Sequence, residues 1–196
     1  MSISKISIEQ IKFRKELPTV HGPYKNLAAV EILIINNSTL DIILTKRSVF
    51  VQNHKNEIAF PGGAFESGDG NLLRTALRET CEEINIGRHS IEYLGNLEPY
   101  RTHYGLEIYP FLGTISEYAF MQAIPNWEVE EIFTIPLGWF MDPENQEIHT
   151  IHTGDDILRR ARYFRNYQGH IVWGITAEIL NRLVTEIRNS DFGMRA

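Results

Sequence analysis

The stretch from Phe60 to Ile86, FPGGAFESGDGNLLRTALRETCEEINI, constrains the chain more than any other. Leu72, Leu73, Ala76, Leu77 and Thr80 recur at helical spacing, which predicts a helix with one face packed on a core. Glu79, Glu82 and Glu83 stand at i, i+3 and i+4, so three carboxylates share an adjoining face near its end. Like charges at that spacing disfavour a helix by roughly 0.2–0.5 kcal/mol per pair. Acids near a helix C-terminus also oppose the macrodipole. A sequence that breaks local rules in one place often does so at a functional site. A hard divalent cation reverses the argument, because clustered carboxylate oxygens are what Mg²⁺ prefers. A bare run of glutamates is more often a solvated face, so the surrounding pattern has to decide.

That pattern resembles the box of the Nudix hydrolase family, G-x5-E-x7-R-E-U-x-E-E-x-G-U with U aliphatic. Gly63, Arg78-Glu79, Glu82-Glu83 and Ile86 match it. Asp69 stands for the early Glu and lies one residue further from the Arg than the pattern has it. Thr80 replaces an aliphatic residue, and Asn85 replaces the penultimate Gly. Asn is the next-best residue for a left-handed helix terminus. The extra residue is similar to the form carried by the coenzyme A diphosphatase subgroup. Further stretches resemble that subgroup in the same order: LTKRS at Leu44–Ser48 and the His54–Gly63 segment, then LGNLEPYRTHYGLEIYPFLG, PNWEVEEIFTIPL and HIVWGITAEIL. The likeness runs from about Ile34 to Leu183.

The resemblance implies an α/β fold, the Nudix α/β/α sandwich with a mixed β-sheet between helices. It implies hydrolysis of the coenzyme A diphosphate to 4′-phosphopantetheine and adenosine 3′,5′-bisphosphate, with Mg²⁺ or Mn²⁺ as cofactor. Glu79, Glu82 and Glu83 are the expected metal ligands, and Gly62 or Gly63 is placed to add a carbonyl oxygen. Family likeness gives Arg78 the task of holding a carboxylate in position. Glu79 and Glu82 are candidates for the general base, as are Glu128, Glu130 and Glu131 on a later loop. Lys46, Arg47 and Arg101 are candidates for the substrate phosphates, Arg47 foremost because a guanidinium binds phosphate in a bidentate way. His54 and His103 read as polar loop or core residues. Trp127, Trp139, Tyr100 and Tyr104 could stack on adenine, although scattered aromatics are usually core. Two alternatives stand beside this reading: a Nudix hydrolase of ADP-ribose or NADH, and a noncatalytic Nudix-fold ligand sensor.

The 196 residues suffice for one domain with a full hydrophobic core. A formal charge of -6 argues against nonspecific nucleic-acid binding, which needs a basic surface. The single cysteine, Cys81, excludes an internal disulfide and suits a reducing compartment. It reads as a small buried residue. No apolar run is long enough for a transmembrane helix, and the N-terminus lacks a signal-peptide pattern. A cytoplasmic protein is expected, with no membrane partner; the family likeness suggests a homodimer.

Along the chain, residues 1–26 read as an N-terminal helical extension, with a helix over Ser7–Leu17 capped by Ser7 and Gln10. Residues 27–190 read as the Nudix domain, with the box at about 63–86. Ala28–Ile35 and Asp41–Arg47 are β-branched runs forming a hairpin. Ile91–Leu97, Glu107–Ser116 and Glu131–Ile135 are of strand type, and Glu147–His152 could pair with Arg159–Phe164. Gly169–Trp173 reads as a further strand, and Gly174–Ile187 as a second helix.

Overall fold

A computed structural model of the chain describes residues 13–19, 26–152 and 158–193. Its centre is β1 (Leu27–Ile35), an apolar strand buried on both faces. Strands covered on both sides read as continuous hydrophobic runs, and this one does. Leu27, Ala29, Leu33 and Ile35 point to one side, while Ile32 and Ile34 join the core on the other.

Around β1 the sheet assembles in the order β3-β2-β1-β7-β5, from β2 (Asp41–Arg47), β3 (Ile58–Ala59), β5 (Glu92–Asn96) and β7 (Glu107–Ile115). β4 (Gly62–Ala64) pairs with β1, β6 (Tyr100–Arg101) with β7, and β8 (Val129–Pro136) with β2. The β1–β7 pair is parallel and the others are antiparallel, so the sheet is mixed. The Ala28–Ile35 and Asp41–Arg47 runs form the expected hairpin, with Ile34 opposite Ile42.

Helix α1 (Leu72–Ile84) covers one face. Leu72 and Ile84 are buried there, each contributing about 1.5–3 kcal/mol relative to exposure. On the other face α4 (Gly174–Gly193) places Ala177, Leu180, Leu183 and Ile187 in the larger core. The layers are helix, sheet, helix. Two short helices, α2 (Glu117–Phe120) and α3 (Leu137–Met141), flank β8. A separate hairpin joins β9 (Gln146–His152) to β10 (Leu158–Phe164), in the pairing expected of those two runs. No described helix is long and apolar enough to cross a membrane.

Three expectations change. Gly169–Trp173 is not a strand: Tyr167 and His170 close a tight turn through Gln168 and Gly169 at positive φ, leaving isolated bridges only. Most of the expected Ser7–Leu17 helix lies outside the described residues. Its described part, 13–17, is not helical, because Arg14 bridges Asn96 at the sheet edge instead. Cys81 is exposed, on the side of α1 away from the sheet.

Candidate active site

The site grows from the contact between β4 and α1. Asn71 caps α1 by accepting from the Arg74 N–H at 2.9 Å, satisfying one orphan donor of the first turn. At the other end Asn85 takes the left-handed conformation (φ 56°), and its N–H donates to the Cys81 carbonyl at 3.0 Å. Asn therefore serves where the family pattern has Gly.

Between these caps, two carboxylates of α1 rest on two consecutive glycines. The Gly62 N–H donates to Glu83 Oε2 at 3.2 Å. A Cβ on Gly63 would lie 2.4 Å from the Glu79 carboxyl carbon, so the residue has to be Gly for Glu79 to approach so closely. Gly62 is confined by backbone, since a Cβ there would lie 2.4 Å from the Ala29 carbonyl oxygen on β1.

Arg78 organises the outer side. Its Nε donates to Asp69 Oδ1 at 2.8 Å and its Nη2 to Asp69 Oδ2 at 3.2 Å. Nη1 reaches Glu79 Oε1 at 2.9 Å and Glu82 Oε2 at 3.1 Å, and Nη2 also reaches the Ala64 carbonyl at 3.2 Å. Asp69 is buried, and its hydrogen bonds from Arg78 hold its carboxyl down at about 2. A shorter acid on a loop one residue longer thus reaches the same arginine.

The third wall comes from β2 and the loop before β8. Lys46 and Arg47 are neighbours on β2, so strand alternation sends them to opposite faces, and the β2–β8 pairing shifts register between them. Lys46 Nζ pairs with Glu130 at 2.9 Å. Arg47 instead turns inward, with Nη1 3.7 Å from Glu83 Oε1 and Nη2 3.9 Å from Glu128 Oε2. Asn126 pins the loop: its N–H donates to the Glu83 carbonyl at 2.9 Å, and its Oδ1 accepts from the Glu128 N–H at 2.8 Å. The Ser48 N–H donates to the Glu128 carbonyl at 2.7 Å.

The structure therefore brings Gly63, Arg78, Glu79, Glu82, Glu83 and Arg47 together, with Glu128 beside them. Lys46 stands next to them but is engaged by Glu130. Arg101 is not gathered in: it is 75% exposed in its side chain and ion-pairs with Glu107 on the neighbouring strand at 2.9 Å. Trp127 and Tyr104 are exposed and not core, and Trp127 lies on the pinned loop at the rim of the site. His54 is a loop residue bonded to Glu57. Asn126 lies in the PNWEVEEIFTIPL stretch, but sequence reasoning did not mark it there as a site residue. That reasoning also passed over Glu31, a lone acid interrupting an apolar strand run.

The electrostatics of the site favour a bound positive charge. Burial pushes Glu83 up to about 7, opposed by the Gly62 N–H and reinforced by Glu79. Burial also raises Glu79, with Arg78 working against it and Glu82 and Glu128 adding to it. Among the described residues no three acidic, histidine or cysteine side chains are drawn together as a bound ion would hold them. The reason is visible in the bonding: Arg78 occupies Glu79 and Glu82, while Gly62 and Arg47 occupy Glu83. The donor set is nevertheless all oxygen and crowded with like charge, which suits a hard divalent cation.

Comparison with known proteins decides the family, for a NUDIX domain model matches residues 25–166. The chain belongs to the Nudix family. Two relatives described as uncharacterized Nudix hydrolase NudL match nearly end to end. The one from Photorhabdus laumondii is 33% identical over 187 residues, covering 90% of this chain and 95% of the relative. That from Pectobacterium atrosepticum is 34% identical over 183 residues, covering 90% and 91%. A crystal structure of a MutT/nudix family protein from Enterococcus faecalis shares the fold, with a TM-score of 0.52 at 18% identity over 89% of this chain and 64% of that one. The chain is thus a Nudix hydrolase, of the class that acts on nucleoside diphosphate derivatives and generally uses divalent metal ions.

Proposed function

We propose that this Nudix hydrolase cleaves the diphosphate of coenzyme A or its derivatives, releasing 4′-phosphopantetheine and adenosine 3′,5′-bisphosphate. One observation carries the reading. Four stretches that resemble the coenzyme A diphosphatase subgroup meet at Glu83: the strand holding Arg47, the Gly62-Gly63 turn, α1 itself and the loop holding Asn126.

Glu79, Glu82 and Glu83, with the Gly63 carbonyl, would hold Mg²⁺ or Mn²⁺. Bound there, the ion supplies neutralisation of phosphate charge and a more acidic water. The remaining tasks belong to the chain. Arg47 presents its guanidinium toward the carboxylates and binds diphosphate oxygens. Arg78 is a positioning residue, fixing Glu79 and Glu82 by hydrogen bonds anchored on Asp69. Glu128 is the general base. Of the loop acids, Glu130 is tied to Lys46 and Glu131 to His170, whereas Glu128 faces Arg47 beside the helix carboxylates. Glu79 and Glu82 are both engaged by Arg78 and are assigned to the ion. Water attacks one phosphorus, the bridging P–O bond breaks, and the proton passes to Glu128.

Incubation of the purified protein with Mn²⁺ or Mg²⁺ and a panel of coenzyme A, acyl derivatives, ADP-ribose and NADH tests this. The expected result is 4′-phosphopantetheine release with coenzyme A among the fastest substrates. Good turnover of ADP-ribose or NADH without attack on coenzyme A would assign another nucleoside diphosphate derivative. Tight binding with no hydrolysis of any substrate would leave a ligand sensor.

A further inference from the structure

Beneath α1 the sheet carries a group that the hydrolytic site does not use. Glu31 on β1 is fully buried, and neither carboxylate oxygen has a hydrogen-bond partner among the described residues. An unpaired carboxylate in a core is among the costliest groups a fold can hold. Burial accordingly pushes Glu31 up to about 8, so it is mostly a neutral acid at pH 7, with an O–H to donate.

Thr80 has the matching defect. It is fully buried on the sheet-facing side of α1, and its hydroxyl has no partner among the described residues. It stands where the Nudix box has an aliphatic residue, so this chain buries a hydroxyl at a position the pattern fills with an apolar side chain.

The packing puts the two in one layer. Ala29 shares a cluster with Leu72 and Ala76, and Leu33 and Ile35 share another with Ile84. Glu31 falls between Ala29 and Leu33 on the strand, and Thr80 between Ala76 and Ile84 on the helix. Two strand residues advance about 6.6 Å and four helix residues about 6 Å, so the two ladders stay in step. Gly113 on β7 leaves room for the acid, since a Cβ there would lie 2.7 Å from Glu31 Oε1. The titratable group facing Glu31 from β5 is Tyr93, raised by burial with the Glu31 charge adding to it; its hydroxyl accepts from Asn96 at 3.0 Å.

We propose that the Glu31 carboxyl and the Thr80 hydroxyl form one buried hydrogen-bonded unit, closed by an internal water, that sets the height and rotation of α1 and so positions Glu79 and Glu83. Buried polar groups without direct partners are commonly satisfied by such waters. Apolar packing is non-directional, whereas a hydrogen bond fixes one register of helix on sheet. The unit makes Glu31 and Thr80 positioning residues, and their role rests on the reading of α1 as the cation-holding helix.

A double-mutant cycle of Glu31→Leu, Thr80→Val and the pair tests it, with Glu31→Gln as the conservative variant. Two readouts are taken: Mn²⁺ affinity by water proton relaxation, and hydrogen exchange of the α1 amides. Each single change is expected to weaken Mn²⁺ binding about 3- to 10-fold and to speed α1 exchange. The double variant should be no worse than the worse single, and Glu31→Gln should stay within about 2-fold of the parent. Effects that multiply, or singles that leave both readouts unchanged, would overturn the unit. If the parent chain binds no Mn²⁺, the functional reading fails and the exchange cycle decides alone: coupling supports the unit and additivity overturns it.

Discussion

Arg78 grips Asp69 through two parallel hydrogen bonds, Nε to Oδ1 at 2.8 Å and Nη2 to Oδ2 at 3.2 Å. The pair joins the loop before α1 to the helix and leaves Nη1 to fix Glu79 and Glu82. Because Asp69 is held down at about 2 by Arg78, it ionises more readily folded than unfolded. Its stabilisation is therefore present above its ordinary value near 3.8 and is lost as pH falls toward 2. Asp69→Asn should cost about 2–3 kcal/mol near neutral pH, because it leaves a guanidinium partly unpaired. Denaturant midpoints of parent and variant should converge as pH falls from 4 to 2; midpoints that stay equally separated would contradict this.

Glu83→Gln should cut turnover by about 10²–10³-fold while leaving the fold intact. A neutral amide is a poor ligand for a hard cation, yet it can still accept from the Gly62 N–H. Steady-state kinetics with circular dichroism separate the two effects, and near-normal turnover would refute the ligand role.

Cation binding should be linked to a proton. With Glu83 at about 7 in the metal-free chain, a cation must displace that proton below pH 7. Mn²⁺ affinity should rise by up to about tenfold per pH unit below 7 and level off above it. Titrations at pH 6, 7 and 8 read this directly, and Glu83→Gln should flatten the profile.

Gly63→Ala places a methyl group 2.4 Å from the Glu79 carboxyl carbon. Glu79, whose carboxyl is the far end of a flexible side chain, must swing away, so kcat should fall at least about tenfold while stability falls by less than about 1 kcal/mol. Thermal melts and kcat measured together check it. An unchanged kcat would mean that the position of Glu79 is immaterial.

Local signals made much of the fold legible. β-branched runs marked β1 and β2, the β7 segment read as strand, and the apolar period of α1 and its Asn85 terminus were plain, whereas its Asn71 cap was not picked out. What escaped depends on distant pairing. Strand alternation sends Arg47 and Lys46 to opposite faces, but the acids they meet there, Glu83 on α1 and Glu130 on β8, come from distant parts of the chain. Arg101 looked free in the sequence because Glu107 faces it only across the β6–β7 pair. Gly169–Trp173 had strand residues but lacked a partner strand beyond isolated bridges. Cys81 shares α1 with buried residues, yet it faces outward by the helical period, which a rule about cysteine burial ignores. Glu31 was hidden inside an apolar run, where only its charge signalled a special role.

Anomalous diffraction from crystals of the chain soaked in Mn²⁺ tests the cation site most directly. A peak is expected between Gly63 and the carboxylates of Glu79, Glu82 and Glu83, with Arg47 displaced from Glu83. Full-occupancy Mn²⁺ elsewhere, with Glu83 still held by Arg47 and Gly62, would contradict it.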